Sequence, residues 1–213
     1  MIKLPKANYA VKTLAANTFD CVTDCPTNSL SDYVTQVGGY AGLNGTYFCP
    51  PDYGSCAGRI NSYDYPVFDS VDGTWLNEGA VTWNNIALAT FAGTTDNFYK
   101  AASSYSGYTI DAAISNFPMI LINGEKAFDE NDTTPYQETS KGARGVLGVD
   151  ISNYYLAIIT SATVPELVEI TQNLGMVNAI NLDGGGSSAL YIAGQYIVGP
   201  GRSLPNAVVL VPK

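Results

Sequence analysis

The stretch that most constrains this chain is Asn181–Ser188, Asn-Leu-Asp-Gly-Gly-Gly-Ser-Ser, set between two apolar runs. Met176–Leu182 reads as a buried strand and Ala189–Ile192 as the next. Asp183 therefore stands where a strand ends, and three glycines and two hydroxyls follow at once. Glycine reaches backbone conformations closed to other residues and lets a ligand approach the main chain. Successive N–H groups in such a turn form a concave anion site. The Asp183 carboxylate stands at its rim as a candidate base, nucleophile or ligand. The plainer reading is a tight turn in which Asp183 bonds only its own loop. Other readings fall away. No Lys follows the glycines as in a P-loop, the spacing is not G-x-G-x-x-G, and Ser187 lacks the flanks of a nucleophile elbow. The chain has no histidine, so a Ser-His-Asp triad is excluded.

A chain of 213 residues is most simply one domain, spanning 1–213, with room for a substantial core. Charged residues make up only 14%, and Gly, Tyr, Thr, Asn and Ser replace them, which predicts many short strands and turns. A net charge of −9 opposes nucleic acid or an anionic membrane surface as partner. A phosphate-bearing substrate would need local arginine to overcome that field. No apolar run is long enough to span a bilayer, and Met1–Pro5 does not read as a signal peptide. The cysteines Cys21, Cys25, Cys49 and Cys56 fit zinc-ribbon spacing poorly. Two disulfides in an exported, extracellular or cell-surface protein is the better reading, with three pairings open. Free thiols in a cytosolic protein are the alternative.

In chain order, Asn8–Leu14 alternates as a first strand, and Ser29–Gly38 reads as a short helix with a hydroxyl cap and a glycine stop. Gly39–Phe48 is a strand interrupted at Asn44 and Gly45, followed by a Cys/Pro/Gly loop through Arg59. Between Tyr63 and Phe91 short apolar segments alternate with turns, and Ala80–Phe91 is the clearest β region. Ser106–Asp111 has no assignable pattern. Phe117–Ile122 and Glu125–Phe128 form a hairpin across Asn123-Gly124, a type I′ signal. Asp129–Lys141 reads as an exposed acidic loop over one rim. Ala143–Val149 and Tyr154–Ile159 pair across Asp150–Asn153. Thr163 and Glu166 form a capping box, a helical face runs from Leu167 to Leu174, and Gly175 stops it. This helix joins two strands, Tyr154–Ile159 and Met176–Leu182, which are expected to run parallel. Tyr196–Val198 and Ala207–Val211 complete the sheet. No internal repeat or linker is seen.

Several segments, in this order, resemble the phosphodiester glycosidase family. Leu43-Asn-Gly-Thr-Tyr-Phe48 is similar to its Asn-Gly/Ala-Gly-Phe/Tyr-Phe segment. Phe117–Gly124 resembles its hairpin, Ala143–Val149 its Arg-Thr-Ala-Ile-Gly segment, and Val164–Gly175 its helix. Ala179–Ser188 resembles the family signature and Arg202–Asn206 its closing Arg…Asn. The resemblance runs from about residue 40 to 213. Gly145 departs from a usual hydroxyl residue, and the 49–59 loop is local to this chain.

The resemblance implies a hydrolase that cleaves a sugar-1-phosphodiester, N-acetylglucosamine-1-phosphodiester-like, at the anomeric centre. A phosphate ester leaves as a weakly basic anion, so the need for a strong general acid is lower than in ordinary glycosidases. A carboxylate that activates water or attacks the oxocarbenium-like centre is still needed, with stabilisation of the leaving phosphate. Asp183 is the candidate carboxylate. Arg144 and Arg202 are candidate phosphate clamps, because guanidinium binds phosphate through parallel hydrogen bonds. Gly184, Gly185, Gly186, Ser187 and Ser188 would add amides and hydroxyls, and Asn44 would orient sugar or phosphate.

Each has a plainer alternative. Arg144 could pair with acidic residues of 129–138, Arg202 could be solvent-exposed, and Asn44 could cap a turn or accept a glycan in Asn-Gly-Thr. Glu166 reads as a capping residue only. Glu125 and Asp150 belong in hairpin turns, with Glu125 a distant second carboxylate. Tyr47 and Tyr191 would stack on a sugar or simply cover a sheet. A divalent cation suits Asp183 and loop carbonyls chemically, but no second carboxylate stands at ligand spacing, so no metal and no cofactor is expected.

The expected fold is α+β, a mixed, strand-rich sheet with a few flanking helices and its site at the strand end carrying Asp183. The expected partner is a small-molecule or polymeric phosphoglycan, of a bacterial or phage cell-surface kind. Two alternatives stand beside this function: a non-catalytic glycan-binding or structural module, and a phosphodiesterase cutting P–O.

Overall fold

The computed structural model describes all 213 residues. The first half of the chain supplies β1 (Ile2–Pro5), β2 (Tyr9–Ala15), α1 (Leu30–Gln36), β3 (Ala41–Asn44), β4 (Val67–Asp69), β5 (Thr74–Leu76), β6 (Ala87–Ala92) and β7 (Thr95–Tyr99). The second half supplies β8 (Ala112–Asn116), β9 (Met119–Ile122), β10 (Glu125–Lys126), α2 (Pro135–Thr139), β11 (Gly142–Val149), β12 (Asn153–Ala162) and α3 (Glu166–Asn173). It closes with β13 (Asn178–Gly184), β14 (Leu190–Ile192), β15 (Gln195–Val198) and β16 (Asn206–Pro212).

Three sheets wrap one core. Their orders are β1-β12-β11-β13-β9-β10, β15-β14-β3-β16-β2 and β5-β4-β8-β6-β7. Side chains alternate across each strand. Leu147, Leu156 and Ile180 point into the shared core with Leu43, Val208 and Ile114 from the other sheets. Their neighbours Val146, Tyr155 and Ala179 point outward and are covered by Leu167 of α3. On the second sheet α1 does the same, with Leu30, Tyr33 and Val34 packed on Leu14 and Val209. Thus each helix is held by one apolar face. Each is too short to be stable without it.

The strand-rich α+β character holds, while the pairing differs from a mixed sheet. Every ladder is antiparallel. β12 and β13 do run the same way on either side of α3, but β11 lies between them and pairs antiparallel with both. β11, joined to β12 by a short hairpin, occupies the slot a parallel neighbour would need. The Asn123-Gly124 turn has both residues at positive φ, as its type requires.

Three further expectations need correcting. The segment Ala80–Phe91 is not one strand: a 3₁₀ turn spans Glu78–Thr82, and β6 starts only at Ala87. The strand through Gly39–Phe48 ends at Asn44, where the Thr46 N–H turns to the Asn206 side chain at 2.9 Å. The segment Asp129–Lys141 is not simply an exposed loop. Thr134 caps α2, Pro135 takes its first position, and Gln137 returns a bond to the Thr134 N–H at 2.8 Å. Gln137 is buried.

The cysteines pair locally, Cys21 with Cys25 and Cys49 with Cys56. No helix is long and apolar enough to cross a membrane.

Candidate active site

The site begins with a break in the β11–β13 ladder. Arg144 faces Gly184, but Gly145 faces Leu182, so Asp183 is an extra residue on β13. Such a bulge re-aims a side chain that strict alternation would send elsewhere. Two glycines permit it. A Cβ on Gly184 would lie 2.0 Å from the Ala143 carbonyl oxygen, and one on Gly145 would lie 2.5 Å from that of Asp183. The departure at Gly145 thus has a local cause in this chain.

Asn44 secures the bulge from below. Its Nδ2 donates to the Asp183 carbonyl at 2.7 Å, its Oδ1 accepts from the Ala189 N–H at 3.1 Å, and the Asp183 N–H donates to the Gly45 carbonyl at 2.9 Å. Both ends of the amide are engaged and the residue is fully buried. Asn44 therefore does not face the cleft as a sugar- or phosphate-orienting group. It is a positioning residue, and its burial also closes it to glycosylation.

Asp183 lies on the floor of a cleft of about 250 Å³. One wall is Gly142–Arg144 of β11 with Thr134, Tyr136 and Gln137 around α2. The other is Pro50 and Tyr53 of the disulfide loop with Arg202, and Tyr47, Phe48 and Phe117 line the rest. The Gly184 N–H donates to the Asp183 carboxylate at 2.7 Å. Desolvation by the surrounding protein pushes the Asp183 carboxyl up to about 7, while the Ser187 hydroxyl, the Gly184 amide and the guanidiniums of Arg202 and Arg144 pull the other way. Asp183 remains half-buried, reached by solvent through the cleft.

Both arginines reach the same cleft. Arg144 is buried and has no carboxylate partner. Its Nε donates to the Ala162 carbonyl at 3.2 Å and a terminal nitrogen donates to that of Ser140 at 2.8 Å, with the Tyr136 ring 5.7 Å away. The alternative reading, a surface bridge to the 129–138 acids, is not what the structure has. Arg202 instead is paired, 2.5 Å from Asp52, and lies 5.1 Å from the Tyr53 ring centre. It also packs flat on the loop, since a Cβ on Gly186 would be 2.7 Å from its guanidinium.

Of the remaining predicted residues, Gly184, Gly185 and Ser187 line the cleft. Gly186 is turned to Arg202, and Ser188 lies buried beneath with its hydroxyl unpartnered. Glu125 is an exposed residue of the short edge strand β10 and does not line the cleft. Glu166, the first residue of α3, accepts from the Thr163 N–H at 2.8 Å across the turn that leads into the helix, and Asp150 accepts from the hairpin amides of Ser152 and Asn153. Tyr191 packs against Tyr196.

Sequence reasoning passed over Gln137 and Asp52. Thr134-Pro-Tyr-Gln137 is a capping box with Pro at the first helical position, which was a usable signal. Nothing near Asp52 in the chain announces Arg202.

Comparison with known proteins bears on the family and the fold. The sequence pattern of the phosphodiester glycosidase family matches residues 38–211. No curated protein matches the chain by sequence. Among solved structures, the catalytic domain of zebrafish N-acetylglucosamine-1-phosphodiester alpha-N-acetylglucosaminidase, auto-inhibited by its pro-peptide, superposes with a TM-score of 0.72 at 14% identity, over 98% of this chain and 74% of that one. A Synechocystis protein gives 0.70 at 13% identity, over 96% of this chain but only 57% of its own. A Burkholderia pseudomallei protein gives 0.58 at 11% identity, over 99% and 73%. At such identities the likeness is one of fold.

Proposed function

Because the chain belongs to the phosphodiester glycosidase family, we propose that it hydrolyses a sugar-1-phosphodiester, with N-acetylglucosamine as the first sugar to test. One observation carries this reading: a single carboxylate, Asp183, stands in one cleft with two guanidiniums and a glycine turn. No other carboxylate lines that cleft. That composition departs from the acid–base carboxylate pair of ordinary glycosidases and suits a leaving group that is already an anion.

In the proposed reaction the phosphate rests between Arg144 and Arg202, with Gly184, Gly185 and Ser187 beside it. Asp183 takes a proton from water as the water oxygen bonds to the anomeric carbon. The C1–O pair departs with the phosphate monoester, and the guanidiniums stabilise its growing charge. Asp183 must be ionised to act, and its carboxyl at about 7 places a base near neutral pH. The two local disulfides fit an extracellular or cell-surface setting and a phosphoglycan there as substrate.

The test is incubation with UDP-N-acetylglucosamine and methyl-phospho-sugars, beside Asp183→Asn, with free sugar as readout. Sugar released by the wild type alone supports the reading; release by both proteins alike removes Asp183 from it. In ¹⁸O-water, label in the sugar means C–O cleavage, and label in the phosphate replaces the reading with P–O hydrolysis.

A further inference from the structure

Tyr47 lies on the cleft wall, and its phenol oxygen receives two hydrogen bonds. Gln137 Nε2 donates at 3.0 Å and Asn181 Nδ2 at 2.7 Å. Neither amide can be reversed. Asn181 Nδ2 also donates to the Phe117 carbonyl at 2.8 Å, where a reversed amide would set two oxygens face to face. Gln137 Oε1 is held by the Thr134 N–H at 2.8 Å, and its Nε2 also points to the Phe117 carbonyl, at 3.4 Å. Asn181 keeps this orientation although its own Oδ1 is left buried without a partner. A phenol that accepts two such bonds has used its acceptor capacity and has only its proton left to give. No protein acceptor receives that proton. The ring cannot turn away, being packed 5.3 Å from Phe117 and 6.3 Å from Tyr65, centre to centre.

We propose that Tyr47 is a dedicated hydrogen-bond donor to the phosphate oxygen that leaves the sugar, a catalytic residue set in that role by Gln137 and Asn181. The inference rests on the phosphodiester reading above and adds a third contact to the leaving group. As the C1–O bond breaks, its electron pair stays on the phosphate oxygen and the Tyr47 O–H bonds to that oxygen without losing its proton. The water proton goes to Asp183 as before. Burial pushes the Tyr47 hydroxyl up, and the bonds from Gln137 and Asn181 pull it down, so the donor remains protonated at neutral pH.

The experiment compares wild type with Tyr47→Phe on a methyl phosphodiester of N-acetylglucosamine and on its 2,4-dinitrophenyl phosphodiester, whose leaving phosphate is less basic and needs less help. A donor acting in the transition state predicts a kcat loss of about 100-fold on the first and under about 10-fold on the second, with KM within about twofold. A second arm measures affinity for N-acetylglucosamine-1-phosphate by calorimetry in the Asp183→Asn background, with and without Tyr47→Phe, expecting about tenfold weakening. Incorporating 3,5-difluorotyrosine at 47, which keeps the shape, should move the alkaline limb of the pH profile down. Equal kcat for the Phe variant, or a KM rise alike on both substrates, overturns the donor role. If the wild type releases no sugar, the affinity arm decides. Tenfold weakening upholds Tyr47 while the reaction reading falls, and unchanged or absent affinity overturns Tyr47.

Discussion

The two walls of the cleft present the same side chain in opposite states. On the β11 wall, Arg144 is buried, held by two backbone carbonyls, and has no carboxylate at ion-pair distance. On the disulfide-loop wall, Arg202 is paired with Asp52, whose side chain is 56% exposed. A charge kept in the interior without a counter-ion costs folding free energy, and such a cost is retained where an incoming anion will meet the charge. An exposed pair costs little and contributes little. Under the proposed function Arg144 would be the preformed half of a phosphate clamp, and Arg202 the half that a ligand must first uncouple.

The carboxylate between them should show the largest effect. Asp183→Asn is expected to lower turnover by about 10⁴-fold, measured as free sugar. The same change should stabilise the fold. The folded carboxyl, near 7, sits above its ordinary 3.8, so the wild type loses stability as pH climbs between those values and does not regain it above them. Denaturant melts at pH 8 should favour Asn by about 2 kcal/mol, discounted for water entering the cleft, and the advantage should vanish below pH 4. Arg144→Gln comes next, with about 10³-fold lower kcat/KM and a Tm within about 3 °C of wild type. A large Tm loss with activity intact would reverse the contrast between the walls. Arg202→Gln should cost about 10²-fold, mostly in KM, because its charge is already shared with Asp52. Both arginines lower the Asp183 carboxyl, so either loss should move the rising limb of the pH profile upward. The smallest effect is Asp52→Asn, which should tighten binding of N-acetylglucosamine-1-phosphate by about threefold. No change there would mean that the two walls do not differ as described.

Parts of this arrangement were legible in the chain and parts were not. The short apolar runs Ala143–Val149, Tyr154–Ile159 and Ala207–Val211 mark strands because most of their residues are covered on both faces. The hydroxyl cap at Ser29 and the capping box at Thr163 mark helix starts, the second to within two residues, because the bonds are local. The order of strands was not legible, since nothing in β11 says it will separate β12 from β13. Asp183, Arg144 and Arg202 were singled out and share one cleft. Asn44 was singled out too, yet its amide is consumed by Asp183 and Ala189, contacts separated by well over a hundred residues. The bulge that aims Asp183 is a property of register between two strands, and single-strand patterns do not carry register. The Asp52–Arg202 pair spans 150 residues and was invisible for the same reason.

In the proposed reaction that pair would make the cleft a subtractive detector. Asp52 is tethered by the Cys49–Cys56 loop, so it faces Arg202 at an effective concentration on the order of millimolar or above, whatever the solution contains. Any visiting anion competes with it and shows only the surplus of its own affinity. Chloride or a bare monoanion, with no contacts beyond its charge, would bring no surplus. A phosphate that arrives attached to a sugar brings the sugar's contacts as well, and those alone set the margin by which it enters.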